Sequence, residues 1–220
     1  METGAMIFDF DDDLKMLQEQ VRTFAFKEVA PGAAKRAKPC ELGDDLREQI
    51  AAMGLLGIAI PEEYGGAGMG CLASTMVVEE VSKADGGVGV YLSAHNSLCV
   101  DPIQAFGSDA QKKKYLPKLA SGEMIGCLSL TEPGSGSDAG AALCMATLKS
   151  DGWQLSGNKI FVTNGREAGV MVLIAVTNPD EPKRRLSAFI VETATPGVRI
   201  AKLEKKLGIR CSSTAEFVFE

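Results

Sequence analysis

The hydrophobic period of this chain changes once, and that change constrains the fold more than any single motif does. Up to about residue 120 the apolar residues recur at helical spacing; after Gly122 they alternate or run in β-branched blocks. Leu14, Leu17, Val21 and Phe24 fall on one helical face behind the acidic turn at Asp11, with Lys27 late and Pro31 as a stop. Leu46, Ile50 and Met53 repeat the pattern before Gly54. The spacing predicts a third helix over 71–84 and a longer apolar one over 88–106, closed by Gly107. Ser108 and Gln111 make a capping box for a short basic helix, "SDAQKKKYLPKL", whose lysines are its solvated face. The later segments "MIGCLSL", "WQLSGNKIFVTNG", "GVMVLIAVTN", "RLSAFIVE" and "TAEFVFE" read as strands, with Asp151-Gly152 as a hairpin signal between two of them. The expected fold class is α+β: an all-helical domain over residues 1–120, then an antiparallel β-barrel or sandwich domain over 121–220.

Composition narrows the function. A chain of 220 residues with 45% hydrophobic content can bury the cores of one large domain or two small ones. Its formal charge of -6 argues against a broad electrostatic surface for nucleic acid, so an anionic ligand has to be held by local donors. The 6 cysteines, at 40, 71, 99, 127, 144 and 211, form no C-x-x-C pair, and no zinc or dithiol site is expected; reduced, mostly buried thiols are the plain reading. No apolar stretch approaches the ~18 residues of a membrane span, so a soluble protein is expected. The start, "METGAMIFDF", lacks the regions of a signal peptide and leaves Met6 as a natural start.

Two stretches of the second half stand out together. "LTEPGSGSDAG", residues 130–140, spends its length on small turn-forming residues around a proline; consecutive amides there form either an ordinary loop or a nest for an anion such as phosphate. "GNKIFVTNG" sets Phe161 two residues before Thr163, which on a regular strand puts both on one face. A flavin needs this mixture: polar bonds to its pyrimidine edge, an aromatic surface against its ring, and donors for its pyrophosphate. Ordinary strand threonines and a core phenylalanine are the other reading. Glu132 and Asp138 are loop carboxylates that cap a turn or face water. A bond from Lys159 to one of them, at a surface, contributes only ~0 to 1 kcal/mol.

"LTEPGSGSDAG" and "GNKIFVTNG", together with "KLGIRCSSTAEFVF", "PEEYGG" and "HNSL", resemble the acyl-CoA dehydrogenase family, and most closely its short-chain, butyryl-CoA type members. The resemblance runs from about Phe8 to Glu220. The family's C-terminal four-helix domain has no counterpart in it, and the strand-like end at Glu220 suggests a longer protein. The resemblance implies FAD as cofactor, with Leu128, Leu130 and Thr131 laid along the flavin, Gly136 and Ser137 at its phosphate or at the CoA arm, and Phe161, Val162 and Thr163 flanking the ring. Many relatives carry tryptophan at the place of Phe161, so the stacking area here is smaller. It further implies that Tyr91, His95 and Leu98 line the acyl cavity and that Ser137 meets the substrate. For His95, the single histidine, a packed helix residue is the commoner reading. No basic residue in "GVGVYLSAHNSL" matches the one that glutaryl-specific relatives use, which disfavours a dicarboxylyl substrate.

The implied reaction is α,β-dehydrogenation of a short or branched acyl-CoA, with electrons passed to an electron-transfer flavoprotein. The family's base is a glutamate of the C-terminal domain, and no residue of this chain maps to it, so the 220 residues alone are expected to be inactive. A flavin or acyl-CoA binding fragment without turnover, and an acyl-CoA oxidase, are the alternatives. The resemblance also implies a homotetramer in the bacterial cytoplasm or, as a mature form, the mitochondrial matrix.

Overall fold

The structure, a computed structural model, describes residues 9–38 and 41–220; the expectations for the first eight positions and for Cys40 lie outside the described residues. Helix α1 (Asp12–Phe24) starts where Asp11 accepts the Leu14 amide at 2.8 Å, and it buries Val21 and Phe24. A π-helical turn (Ala25–Val29) and a 3₁₀ turn with Pro31 lead into the single turn α2 (Ala33–Arg36). Then come α3 (Asp44–Ala52) and α4 (Gly70–Ala84). The long apolar helix expected over 88–106 is three consecutive pieces: α5 (Gly86–Ser93), a π-helical segment (Ala94–Val100) and α6 (Asp101–Phe106). Pro102 falls where the π-helical segment passes into α6. α7 (Asp109–Ala120) carries both bonds of the expected capping box, Ser108 with Gln111.

Among the described residues seven strands form one curled sheet in the order β1-β4-β2-β3-β7-β6, with β5 beside β4. They are β1 (Ile125–Ser129), β2 (Met145–Lys149), β3 (Gly152–Thr163), β4 (Ala168–Val176), β5 (Leu186–Glu192), β6 (Val198–Leu203) and β7 (Thr214–Phe219). The sheet is mostly antiparallel, but β1 runs parallel to β4 from Ile125↔Ala168 to Ser129↔Leu173. The β1–β4 pair is parallel because the chain leaves β1 through the turn and the β2–β3 hairpin before it returns, and β2 also meets β4 in parallel, at Met145↔Val176. Two strands escape the periodicity: β2 and β6 are largely exposed on both faces, so hydrophobic alternation does not mark them. The hairpin pairs Lys149 with Gly152, which makes Ser150 and Asp151 the loop and β2, not the "MIGCLSL" strand, the partner of β3. Strand β3 pairs with β2 up to Ser156 and with β7 from Gly157 on. Gly157 makes that corner with φ of 146°, where an added Cβ would lie 2.8 Å from the Cys144 Cα.

Three apolar clusters hold these parts. One lies within the helices around Val21, Ile50, Leu56, Val81 and Leu92. A second fills the curl of the sheet around Cys127, Met171, Leu173 and Phe217. The third joins the two halves, with Cys99, Ile103, Leu116 and Leu119 against Val170 and Val172. Each fully buried side chain of this size contributes about 1.5–3 kcal/mol, so the helices and sheet are fused along that seam. At its centre β1 touches the π-helical segment so closely that a Cβ on Gly126 would lie 2.5 Å from the Cys99 Cβ.

Candidate functional site

The turn that follows β1 is built around a buried carboxylate. Glu132 and Ser135 exchange backbone bonds at 2.8 and 3.1 Å, and the Ser135 hydroxyl donates to the Asp138 carbonyl at 2.7 Å. The Glu132 carboxylate reaches across the loop to accept the amides of Leu143 at 2.7 Å and Cys144 at 3.0 Å. Lys159 completes the shell: its Nζ donates to Glu132 Oε1 at 2.8 Å and to the Leu130 carbonyl at 2.7 Å. The surface pair expected here is therefore an internal one, with the two side chains 0% and 6% exposed. Burial alone would raise the Glu132 carboxyl, but the Lys159 bond and the two amides outweigh it and hold the pKa below the usual carboxylate range.

The same cluster joins the two sequence motifs. Beside the Lys159 bond, the Ile160 amide donates to the Thr131 carbonyl at 2.8 Å. Immediately beyond, the β3–β7 register slips between Lys159 and Val162, and Phe161 adopts a φ of 57°. This is a one-residue bulge, and it corrects the simple alternation that put Phe161 and Thr163 on one face. A bulky residue at positive φ is a genuine outlier, of a kind that gathers at functional sites. It leaves the Phe161 side chain 60% exposed while Val162 is buried and Thr163 half-buried. Leu128, Leu130 and Thr131 are half-buried, and Gly136 and Ser137 are exposed on the turn. Among the described residues the amides of Gly134, Gly136 and Ser137 donate to no protein acceptor. A Cβ added at Gly136 would meet nothing within 4 Å. An exposed aromatic, neighbouring hydroxyls and free turn amides are the donor set that a flavin with its pyrophosphate requires.

Tyr91, His95 and Leu98 are placed differently from one another. His95 is fully buried in the π-helical segment, and both ring nitrogens are engaged. The Gly126 amide donates to Nδ1 at 3.1 Å, so the proton sits on Nε2, 3.2 Å from the Leu56 carbonyl that accepts it. Burial depresses the imidazole pKa to about 4, against the weaker opposing effect of its backbone partners. Tyr91 is also fully buried; its hydroxyl has no hydrogen-bond partner among the described residues, and burial pushes its pKa up. Leu98 alone of the three reaches the surface, 39% exposed. The groove that this helix does line, 540 Å³ against α4, uses Ser93, Ser97, Asp101 and Gln104. Tyr91, His95 and Leu98 are not on its walls.

Sequence reasoning missed Glu132 and Lys159 as a linked internal pair, because nothing in "GNKIFVTNG" marks its lysine as buried. It also missed Asn164, which sits at a φ of 62°, donates to the Tyr91 carbonyl at 2.8 Å and accepts from the Ser212 hydroxyl at 3.0 Å. The polar runs "TNG" and "CSST" are visible in the sequence, but nothing there pairs them. Among the described residues no group of His, Cys, Asp and Glu is placed to hold a metal, and no helix is long and apolar enough to cross a membrane.

Comparison with known proteins adds to this geometry. Residues 11–123 match the model of the acyl-CoA dehydrogenase N-terminal domain, and residues 127–220 that of the middle domain. The chain is 43% identical over 215 residues to the short-chain specific acyl-CoA dehydrogenase of Clostridium acetobutylicum, an alignment that covers 98% of this chain and 57% of that protein. It is similar, at a TM-score of 0.94 and 43% identity, to a chain in the structure of the electron transferring flavoprotein of Acidaminococcus fermentans, covering 98% of this chain and 57% of that one. It is also similar to an acyl-CoA dehydrogenase from Bacillus anthracis complexed with FAD, at a TM-score of 0.88 and 38% identity over 96% of this chain and 36% of that one. The chain thus spans little more than half the length of the clostridial relative.

Proposed function

The chain belongs to the acyl-CoA dehydrogenase family, and from that premise we propose that its turn and bulged strand hold FAD in an enzyme that dehydrogenates a short acyl-CoA. The observation that carries the reading is the juxtaposition, through the bond from the Ile160 amide to the Thr131 carbonyl, of a turn with free amides and a strand end that exposes an aromatic. The turn amides of Gly136 and Ser137 and the Ser137 hydroxyl serve the phosphates or the CoA arm. Thr131 and Thr163 offer hydroxyls to the polar edge of the ring, and Phe161 lies against its face, with Leu128, Leu130 and Val162 as backing. The FAD complex of the similar Bacillus anthracis enzyme supports this cofactor.

When bound, FAD supplies the hydride acceptor for the β carbon of the acyl group. The residues of this chain orient it and exclude water from one side, where hydrogen bonds to a developing enolate gain strength. None of the carboxylates on the turn fits the role of α-proton base. Glu132 is enclosed and already holds an ammonium and two amides, and Asp138 stands on the turn assigned to phosphate. We place the base outside residues 1–220, in the part of the relatives that this chain does not span. A short acyl chain follows the name of the clostridial relative, and an electron-transferring flavoprotein as acceptor follows the likeness to the Acidaminococcus structure. The family resemblance supports a division between helical and β units near residue 120, and a homotetramer.

The protein should purify yellow, and the double substitution Phe161→Ala, Thr163→Val should lower its FAD content. Thr163→Val alone has a small effect, since one hydrogen bond contributes only ~0.5–1.5 kcal/mol. Full FAD occupancy of the double variant at micromolar protein refutes the site. A specificity constant higher for lauroyl-CoA than for butyryl-CoA refutes the short-chain assignment.

A further inference from the structure

A lysine is almost never fully buried, and burying an ion pair costs several kcal/mol of desolvation that the pair's attraction often only offsets. Stability alone therefore gives little reason for Glu132 and Lys159 to be internal. Their connections give a better one. Lys159 Nζ holds the Leu130 carbonyl at the end of β1 and the carboxylate at the start of the turn. The carboxylate holds the amides of Leu143 and Cys144, where the turn rejoins the sheet. One ammonium and one carboxylate thus tie together four segments. Gly136 and Ser137 lie inside the loop that Glu132 closes. Phe161 lies two residues beyond Lys159, in a left-handed conformation that something outside the residue must maintain.

We propose that the Glu132–Lys159 pair is a positioning device, holding the turn amides and the bulged Phe161 in register with each other so that one FAD meets both. The inference rests on the cofactor reading given above. Neither side chain touches the flavin; both act through the backbone they fix. Breaking the pair should weaken FAD binding beyond what any loss of stability explains.

The test uses the full-length protein, stripped of flavin and titrated with FAD by flavin fluorescence quenching, with urea unfolding of each apoprotein alongside. Lys159→Met leaves a buried carboxylate without its cation and should lower the urea midpoint. The double variant Glu132→Gln, Lys159→Met removes both charges and should recover much of that stability. Both should raise the FAD Kd by about 30-fold, equivalent to about 2 kcal/mol. At saturating FAD, both should also change the visible circular dichroism of the bound flavin, a signal that global stability does not move. Lys159→Gln keeps an N–H donor group on a shorter, neutral side chain and should be intermediate; it serves if the other variants do not fold. A folded double variant, or failing that Lys159→Gln, with the wild-type Kd and dichroism overturns the inference. If Phe161→Ala weakens FAD while the pair variants do not, the cofactor site stands and only the positioning role falls. If the wild-type apoprotein binds no FAD, the site and the inference fall together.

Discussion

His95 should make this fold sensitive to mild acid, in a pH range set by its own burial. The imidazole is fully enclosed, takes a hydrogen bond from the Gly126 amide on Nδ1 and gives one to the Leu56 carbonyl from Nε2. A second proton has to go on Nδ1, where it faces the Gly126 N–H instead of a lone pair. The folded-state pKa is accordingly depressed to about 4 from the ordinary 6.5. For a histidine depressed in the folded state the sign is fixed. Stability is fully present above pH 6.5, where both states hold the neutral ring, and is lost as pH falls toward 4 because only the unfolded chain takes up the proton. Linkage gives a loss of about 2 kcal/mol at pH 5 and about 3 kcal/mol at pH 4. Urea unfolding of the wild type and of His95→Gln, over pH 4 to 8, isolates this contribution from that of the carboxylates. The variant leaves one backbone group unpaired and should be less stable at pH 7.5 by about 1–3 kcal/mol, yet that difference should shrink by about 2 kcal/mol on going to pH 5. Parallel curves for the two proteins between pH 6.5 and 4 would refute the reasoning, since the buried ring would then not be the group that titrates.

Two further predictions come from the helical half. Glu80 is fully buried, and the Arg22 bond above all, then Lys83, outweighs its desolvation and holds its pKa at about 2 against an ordinary 4.5. Its stabilisation is complete above pH 4.5 and is lost as pH falls toward 2. Because both cations are partly solvated, Glu80→Gln should cost only about 1–3 kcal/mol at neutral pH, read as a lower urea midpoint, with the gap to wild type closing below pH 4. The Tyr91 hydroxyl has no partner among the described residues, so Tyr91→Phe should be neutral or stabilising by up to about 1 kcal/mol in urea unfolding. A large destabilisation would mean that the hydroxyl makes a bond after all, and the ratio of butyryl-CoA to lauroyl-CoA turnover should stay unchanged.

The helices were legible because their ends carry local chemistry. Asp11 and Ser108 cap where their side chains must, and the apolar period persists between them. The parallel β1–β4 pair was not, because direction depends on where the intervening chain travels and not on either strand's own residues. Strands β2 and β6 were missed for a different reason: their burial does not alternate, so the signal that identifies a half-buried strand is absent. At the candidate site, the residue types that suit a flavin were readable from two short motifs. The geometry was not, since Phe161 is exposed through a bulge that a strict period of two cannot foresee. Lys159 illustrates the same limit: a lysine on a strand implies solvent unless its partner is known, and that partner lies 27 residues earlier in the chain.

The two buried polar groups that composition would have called incidental hold opposite ends of one strand. At its start, β1 is fixed by the Gly126 amide on the His95 ring, within the apolar seam between helices and sheet. Just past its end, the Leu130 carbonyl is fixed by Lys159, in the cluster that also closes the turn. Between them lie Cys127, Leu128 and Ser129, and immediately after them Thr131 and the turn amides. Hydrophobic contact is non-directional and leaves a strand free to slide by fractions of an ångström, whereas a hydrogen bond in a dry interior is short, angular and costly to leave unmade. A ligand site that needs hydroxyl, amide and aromatic groups aligned to within about 0.5 Å has to be referenced to contacts of the second kind. Loss of His95 should then disturb FAD binding less than loss of Lys159, because the bonds of Lys159 lie inside the cluster that carries the turn and the bulge, while those of His95 act only through the length of β1.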